Sequence, residues 1–387
     1  MENLVNNDKN YIANTYARYN VQIESGKGSI LKDFSGKEYI DLGSGIGVNS
    51  FGIANEELLN AIVEQYKKVQ HTSNLYYTEP CVTLAKTLCL RTGLKKVFFG
   101  NSGAEANECA IKVARKYASE KKGKDCYKII TLKNSFHGRT ITTLSATGQD
   151  VFHSLFNPLT EGFEYATAND FESVKQLVDK NEIAGILIEC VQGEGGVIPL
   201  EKEFVEKVYA LAKEKDIVFM VDEVQTGNGR CGSLYAYMQY GILPDVVTTA
   251  KGLGGGLPIG ACIMGEKVES VLGFSDHGST FGGNPIACAS ANKVLEMIDD
   301  NLLSEVNEKS KFVFAELKNA KGVKSVTGLG LMIGIETEKS VKEVMAYCIE
   351  NGVLPLTAKT KLRLLPPLNI PFEQLKKAVQ IIKKACE

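Results

Sequence analysis

The chain is expected to fold as an α/β protein with a mainly parallel sheet, for three reasons. Short apolar runs alternate with amphipathic helical patterns through the middle of the chain. Several of those runs stop at a polar residue or a glycine-rich turn, as strands do where their carboxyl ends meet loops. From about residue 283 the alternation gives way to helices with a few short strands. A βαβα order implies a sheet covered by helices on both faces, and the change at 283 implies a smaller α+β unit after it.

Taken in order, Ile30–Asp33 and Glu38–Asp41 read as short strands around a Ser35-Gly36 turn. Lys96-Val97-Phe98-Phe99 reads as a strand. Ala106, Ala110, Val113, Ala114 and Tyr117 then recur at helical spacing, so one helix face is buried. Further strands are expected at 127–132, 185–191, 217–221, 245–250 and 261–264, with helices near 201–215 and at 372–385. A length of 387 residues at roughly 100–200 residues per domain suggests two or three domains. The expected division is an N-terminal segment (1–50) packing with the small domain, a large domain (51–282) and a small C-terminal domain (283–387). No Pro/Ser-rich linker marks the boundary, and no internal repeat is present.

Composition removes several function classes. Lys+Arg 44 against Asp+Glu 46 gives a net charge of −2, which offers no electrostatic case for nucleic acid or an anionic membrane. No apolar run is long enough to span a bilayer, and the N-terminus lacks a signal-peptide pattern. The ten cysteines are scattered without a C-x-x-C pair, so reduced thiols in the cytoplasm are expected. None of the four histidines has metal-ligand spacing, so no metal site is expected.

The residues that carry chemistry sit at the expected strand ends. Ile217–Val221 ends in Asp222, and Lys251 follows in Thr-Thr-Ala-Lys-Gly-Leu-Gly-Gly-Gly. Asp222 alone could be a helix cap or a salt-bridge partner. A lysine amine and a carboxylate at neighbouring strand ends are what pyridoxal phosphate chemistry needs. The amine condenses with the aldehyde, and the carboxylate keeps the pyridine nitrogen protonated so that the ring can withdraw electrons. A nucleotide P-loop is excluded by order, because there the glycines precede the lysine. Ser102-Gly103-Ala104 opens a helix after a glycine turn, a ready phosphate pole; Ser102 capping that helix is the compatible alternative. In Asn134–Thr140, Phe136 could stack on a pyridine ring and Arg139 could grip a carboxylate. His137 reads as a structural histidine. Glu194 lies in a glycine-rich loop, and Arg363 lies inside an apolar run, where an unpaired charge is costly.

With these motifs on the page, the sequence resembles the class III aminotransferases, pyridoxal phosphate enzymes of fold type I, along essentially the whole chain. The matching runs are Gly26–Gly28, Asn101–Glu108, Ser135–Thr140, Gln192–Gly196, Asp222–Gly227, Thr249–Gly256 and Ser279–Pro285. Within the family, Phe136–Arg139 and the compact length are most similar to the branch acting on N2-acetylornithine. The resemblance implies a seven-stranded, mainly parallel sheet, pyridoxal 5'-phosphate as cofactor, and a homodimer with its site at the interface. It implies that Lys251 binds the cofactor and shuttles the proton, Asp222 pairs with the pyridine nitrogen, and Gln225 reaches the phenolic oxygen. Phe136 and Val224 would flank the ring, and Ser102, Gly103 and Ala104 would hold the phosphate, joined by Thr280 from the partner subunit. Substrate contacts are implied for Arg139, Glu194, Arg363, Tyr16 and Ser279, with Ser44, Gly45 and Ile46 at the entrance.

The implied reaction moves the ω-amino group of N2-acetyl-L-ornithine to 2-oxoglutarate. Related donors (ornithine, succinylornithine, 4-aminobutyrate, acylated lysine precursors) and a glutamate-semialdehyde aminomutase share most of these residues. Two arginines suited to a dicarboxylate favour the transferase, and a noncatalytic relative would be expected to have lost Lys251 or Asp222. Two departures from the family pattern concern local packing: Phe51–Glu56, and Cys190 where proline is common.

Overall fold

A computed structural model describes residues 2–387. Its central sheet contains seven strands: β1 (Lys96–Gly100), β2 (Lys128–Leu132), β3 (Phe163–Ala166), β4 (Ile183–Ile188), β5 (Val218–Asp222), β6 (Val246–Thr249) and β7 (Gly260–Met264). Their order is β1-β7-β6-β5-β4-β2-β3. β7 runs antiparallel to both neighbours, and the other pairings are parallel.

Residues 183–188 and 218–222 are buried along their whole length, which is why they read as unbroken apolar runs. Successive residues of β5 feed opposite faces. Val218 and Met220 join a cluster with Ala110, Val113 and Ala114 of the helix Gly103–Lys122. Phe219 and Val221 join the larger core with Phe204, Val205 and Val208 of the helix Lys202–Glu214. The sheet is thus sandwiched, and its polar strand ends meet at one rim.

Two expectations need correction. β3 is absent from the strands read directly from the sequence. It is an edge strand paired only to β2, and of Phe163-Glu164-Tyr165-Ala166 only Ala166 is buried, so no apolar run announces it. The strand expected at 185–191 stops at Ile188; Val191–Gln192 pairs separately and antiparallel with Ile198–Pro199. That break leaves Glu189 at the rim.

The C-terminal residues build an antiparallel sheet from Val323–Leu329, Met332–Thr337, Leu356–Ala358 and Lys361–Leu364, with the helices Asp300–Leu317, Val341–Glu350 and Phe372–Cys386. Ile23–Lys27, Ile30–Asp33 and Glu38–Asp41 form a further sheet, whose fourth strand is Val353–Leu354. The two departures from the family pattern are accommodated locally. Asn55 caps the helix Glu56–Lys68 by accepting from Glu57 N and Leu58 N, each at 3.1 Å. Cys190 is fully buried in the main core. Among the described residues no helix is long and apolar enough to cross a membrane.

Candidate active site

The strand ends enclose a cavity of about 460 Å³ lined by Ser102, Gly103, Ala104, Phe136, Arg139, Asp222, Val224, Gln225 and Lys251 among others. One pole is the start of the 20-residue helix Gly103–Lys122. Its first backbone N–H groups have no partner within the helix, and its dipole favours an anion there. Ser102 Oγ accepts from Glu105 N at 3.2 Å, so it caps the helix as the alternative reading allowed. Two glycines make the pole accessible. A Cβ on Gly103 would lie 2.6 Å from Val224 Cγ1, and one on Gly260 would lie 2.1 Å from the Ser102 carbonyl oxygen.

Asp222 closes β5 and is 4% exposed. Its Oδ1 accepts from Val224 N at 2.9 Å. Its Oδ2 accepts from Asn107 Nδ2 at 2.7 Å and lies 2.8 Å from His137 Nδ1. Asn107 Oδ1 in turn accepts from the Thr248 hydroxyl at 2.6 Å, and Thr248 is the register partner of Asp222 on β6. A buried carboxylate with this many donors is held in one orientation. Facing a carboxylate, His137 Nδ1 carries the proton, and Nε2 is left buried without a partner.

Lys251 lies two residues past the end of β6, at the start of the short helical turn Lys251–Gly254, with φ of 43°. Burial depresses its ammonium below the usual lysine range; Arg363 adds to this, while Glu194, Asp222 and Glu189 oppose it. A depressed lysine carries more neutral, nucleophilic amine near neutrality.

Arg363 is 3% exposed and pairs with Glu194. Its Nη1 donates to Glu194 Oε1 at 2.6 Å and to Gln225 Oε1 at 3.0 Å. Burial works to raise the Glu194 carboxyl, but the charge and hydrogen bond of Arg363, with Lys251, outweigh it and hold it below the carboxylate range. Gln225 lines the cavity, so it links this pair to the cavity wall.

Asn107, His137 and Glu189, which sequence reasoning gave no site role, also line this cavity. Glu189 Oε2 accepts from Phe136 N at 3.0 Å, and burial pushes its carboxyl up. Asn107 was findable, because it lies one helical turn after Gly103 and so shares its face. Ser279 stands beside the cavity, accepting from Asn101 Nδ2 at 3.2 Å. Tyr16 and Thr280 are exposed and do not line the cavity within one chain. Ser44, Gly45 and Ile46 form a left-handed run whose neighbour Val48 does line it. Among the described residues no group of three or more His, Cys, Asp or Glu is placed to hold a metal ion.

Comparison with known proteins identifies the family. The family model for "Aminotransferase class-III" matches residues 11–386. An acetylornithine aminotransferase of Haemophilus ducreyi is 52% identical, covering 97% of this chain and 96% of that protein. The crystal structure of the ornithine aminotransferase from Toxoplasma gondii superimposes with a TM-score of 0.95 at 30% identity, covering 99% of this chain and 94% of that one. The N-acetylornithine aminotransferase from Stenotrophomonas maltophilia gives 0.85 at 34%, covering 98% of each chain. The type I architecture expected from the sequence therefore holds. The chain belongs to the class III aminotransferases, enzymes that depend on pyridoxal 5'-phosphate.

Proposed function

We propose that the chain is an acetylornithine aminotransferase of arginine biosynthesis, converting N2-acetyl-L-ornithine and 2-oxoglutarate to N-acetyl-L-glutamate 5-semialdehyde and L-glutamate. The observation that carries this reading is the Arg363–Glu194 pair. Glutamate brings two carboxylates, for which Arg139 and Arg363 provide two sites. An ω-amine donor brings one carboxylate and an uncharged stem, and it would leave a buried arginine unpaired. With Glu194 on Arg363, the pocket is matched to the ω-amine donor. With Glu194 turned away, it is matched to glutamate. The acetylornithine aminotransferases among the curated relatives support the acetylated donor. The high structural likeness to an ornithine aminotransferase supports free ornithine as the second reading.

The residues fit the cofactor. The helix pole at Ser102–Ala104 suits a phosphate, the hydrogen-bonded Asp222 suits a ring N–H, and Phe136 and Val224 suit the two ring faces. When bound, pyridoxal phosphate supplies an aldehyde that takes the amino group and a protonated ring that withdraws electrons. Asp222, oriented by Asn107 and His137, holds the proton on the ring nitrogen. Lys251 Nζ would take the proton from the substrate's amine-bearing carbon, Cδ of acetylornithine or Cα of glutamate, and deliver it to the cofactor's aldehyde-derived carbon within the same half-reaction, with the reverse transfer completing the other half. Gln225 would reach the ring's phenolic oxygen. Arg139 holds the carboxylate common to both substrates, and Tyr16 and Ser279 contribute further substrate contacts.

The reading includes a homodimer, with Thr280 of a second copy completing the phosphate site. The exposed Tyr76, Tyr77, Phe274 and Phe281 support a covered surface near that segment. It also includes residues 51–282 and 283–387 as the large and small domains, and a cytoplasmic setting, supported by ten free thiols. The deciding experiment is 2-oxoglutarate-dependent turnover with acetylornithine, ornithine, succinylornithine and 4-aminobutyrate. Faster turnover of free than of acetylated ornithine would replace this reading with the second.

A further inference from the structure

Arg139 carries an arrangement that its proposed task leaves unexplained. Its side chain is exposed, and neither the His137–Asp222 pair in the cavity wall nor the Arg363–Glu194 pair behind Gln225 includes it. Its guanidinium carbon lies 4.3 Å from the ring centroid of Phe152 and 5.5 Å from that of Phe136. The two rings meet edge-on, at 78° with centroids 6.0 Å apart. One cation and two aromatic rings thus form a triangle at the cavity.

Phe152 is held on the Phe136 side through its backbone. It ends the short turn Asp150–Phe152, whose Phe152 N donates to Gln149 O at 3.0 Å. Gln149 Nε2 donates to Ser135 O at 2.9 Å, and Gly148 N donates to Ser135 Oγ at 3.0 Å. His153 Nε2 lies 2.9 Å from Leu144 O and 2.8 Å from Thr147 O. The turn is therefore tied both to the residue before Phe136 and to the end of the helix Ile141–Ala146. Neighbouring Val151, Leu155 and Phe156 are exposed, whereas Phe152 is half-buried.

We propose that Phe152 is a positioning residue for substrate carboxylates: its ring holds the Arg139 guanidinium in place while leaving that group's donors free. This rests on Arg139 as the carboxylate holder. An ordered arginine loses about 2 kcal/mol of rotamer freedom, so something must hold it before substrate arrives. A carboxylate partner would do so by occupying the same in-plane N–H groups that the substrate needs. An aromatic ring uses only the flat face and leaves the fork available for a bidentate contact. Because Phe152 also touches Phe136, the carboxylate holder is registered against the side chain proposed to stack on the cofactor. Both substrates would benefit, since each brings a carboxylate.

The test uses the cofactor-loaded chain and two amine donors, N2-acetylornithine and N-acetyl-1,4-diaminobutane, which is the same molecule without its carboxylate. Phe152→Leu is expected to raise KM for acetylornithine about two- to fivefold, with kcat moving less. It is expected to leave kcat/KM for the diamine derivative unchanged. Phe152→Tyr, which keeps the ring, is expected to match the parent. In an Arg139→Ala background, Phe152→Leu is expected to add nothing. Equal losses on both donors, an unchanged or lowered KM for acetylornithine, or an undiminished effect in the Arg139→Ala background each overturn the proposal. If Arg139→Ala leaves the acetylornithine KM untouched, the assignment of Arg139 fails as well, which separates the two failures.

Discussion

Arg363 and Glu194 meet at 2.6 Å, with the arginine 3% exposed and the glutamate 30% exposed. That asymmetry matters. The buried cation is carried by its strand, Lys361–Leu364, while the anion sits between two glycines and is partly open to solvent. Glu194→Ala would strand a buried charge during the ω-amine half and spare the glutamate half, where a substrate carboxylate replaces it. The ratio of the two half-reaction rates is expected to shift toward glutamate by about tenfold or more, a change of about 1.4 kcal/mol. Bound cofactor per chain is expected to stay constant. Single-turnover spectra with each donor separately would check this, and equal slowing of both halves would refute it.

Lys251 offers a second prediction. Its amine is the group proposed to move the proton, and the residues proposed to hold the phosphate and flank the ring line the cavity independently of it. Lys251→Ala is expected to retain pyridoxal phosphate through gel filtration while turnover falls by at least about 10²–10⁴-fold. Turnover within tenfold of the parent would remove Lys251 from the chemistry.

The Asp222 network predicts a graded series. Asp222→Ala removes the carboxylate itself, whereas Asn107→Ala removes one of its donors and leaves His137 in place. A hydrogen bond to a charged group contributes about 1.5–3 kcal/mol. Asn107→Ala is therefore expected to lower kcat about ten- to a hundredfold, and Asp222→Ala to lower it further. A milder loss for Asp222→Ala than for Asn107→Ala would contradict the network.

What the sequence could reveal follows from which contacts are local. That Asp222, Lys251, Ser102 and Phe136 share one rim was legible because parallel strands carry their following residues to the same edge, whatever the sheet order. The buried face Ala106–Tyr117 was legible from its period alone. Strand Phe163–Ala166 was not, since an edge position asks for no continuous apolar run. His137 and Asn107 were quoted within motifs yet given no site role. Their shared acceptor lies 85 and 115 residues away, a relation only the folded sheet creates. Phe152 was illegible for the same reason: a lone phenylalanine in a loop gives no sign of which cation it faces.

Glu223 provides a pH prediction. It adjoins Asp222, is fully buried, and accepts from Tyr237 N at 2.7 Å and the Thr226 hydroxyl at 2.5 Å. Burial pushes its carboxyl from 4.5 up to about 7, with those two hydrogen bonds opposing. An acid raised by folding binds its proton more tightly in the folded state. Its contribution to stability is therefore complete below about pH 4.5 and is lost as pH climbs through about 7. Glu223→Gln keeps an amide that can accept from Tyr237 N and donate to Thr226, but it cannot titrate. The stability difference between parent and variant is expected to change by about 2–3 kcal/mol between pH 5 and pH 8, moving against the parent as pH rises. Urea unfolding midpoints at the two pH values, with cofactor held at one saturating concentration, measure it. Parallel behaviour of the two chains would mean that Glu223 is already ionised in the fold, and that the turn bearing Val224 and Gln225 is anchored by a buried anion.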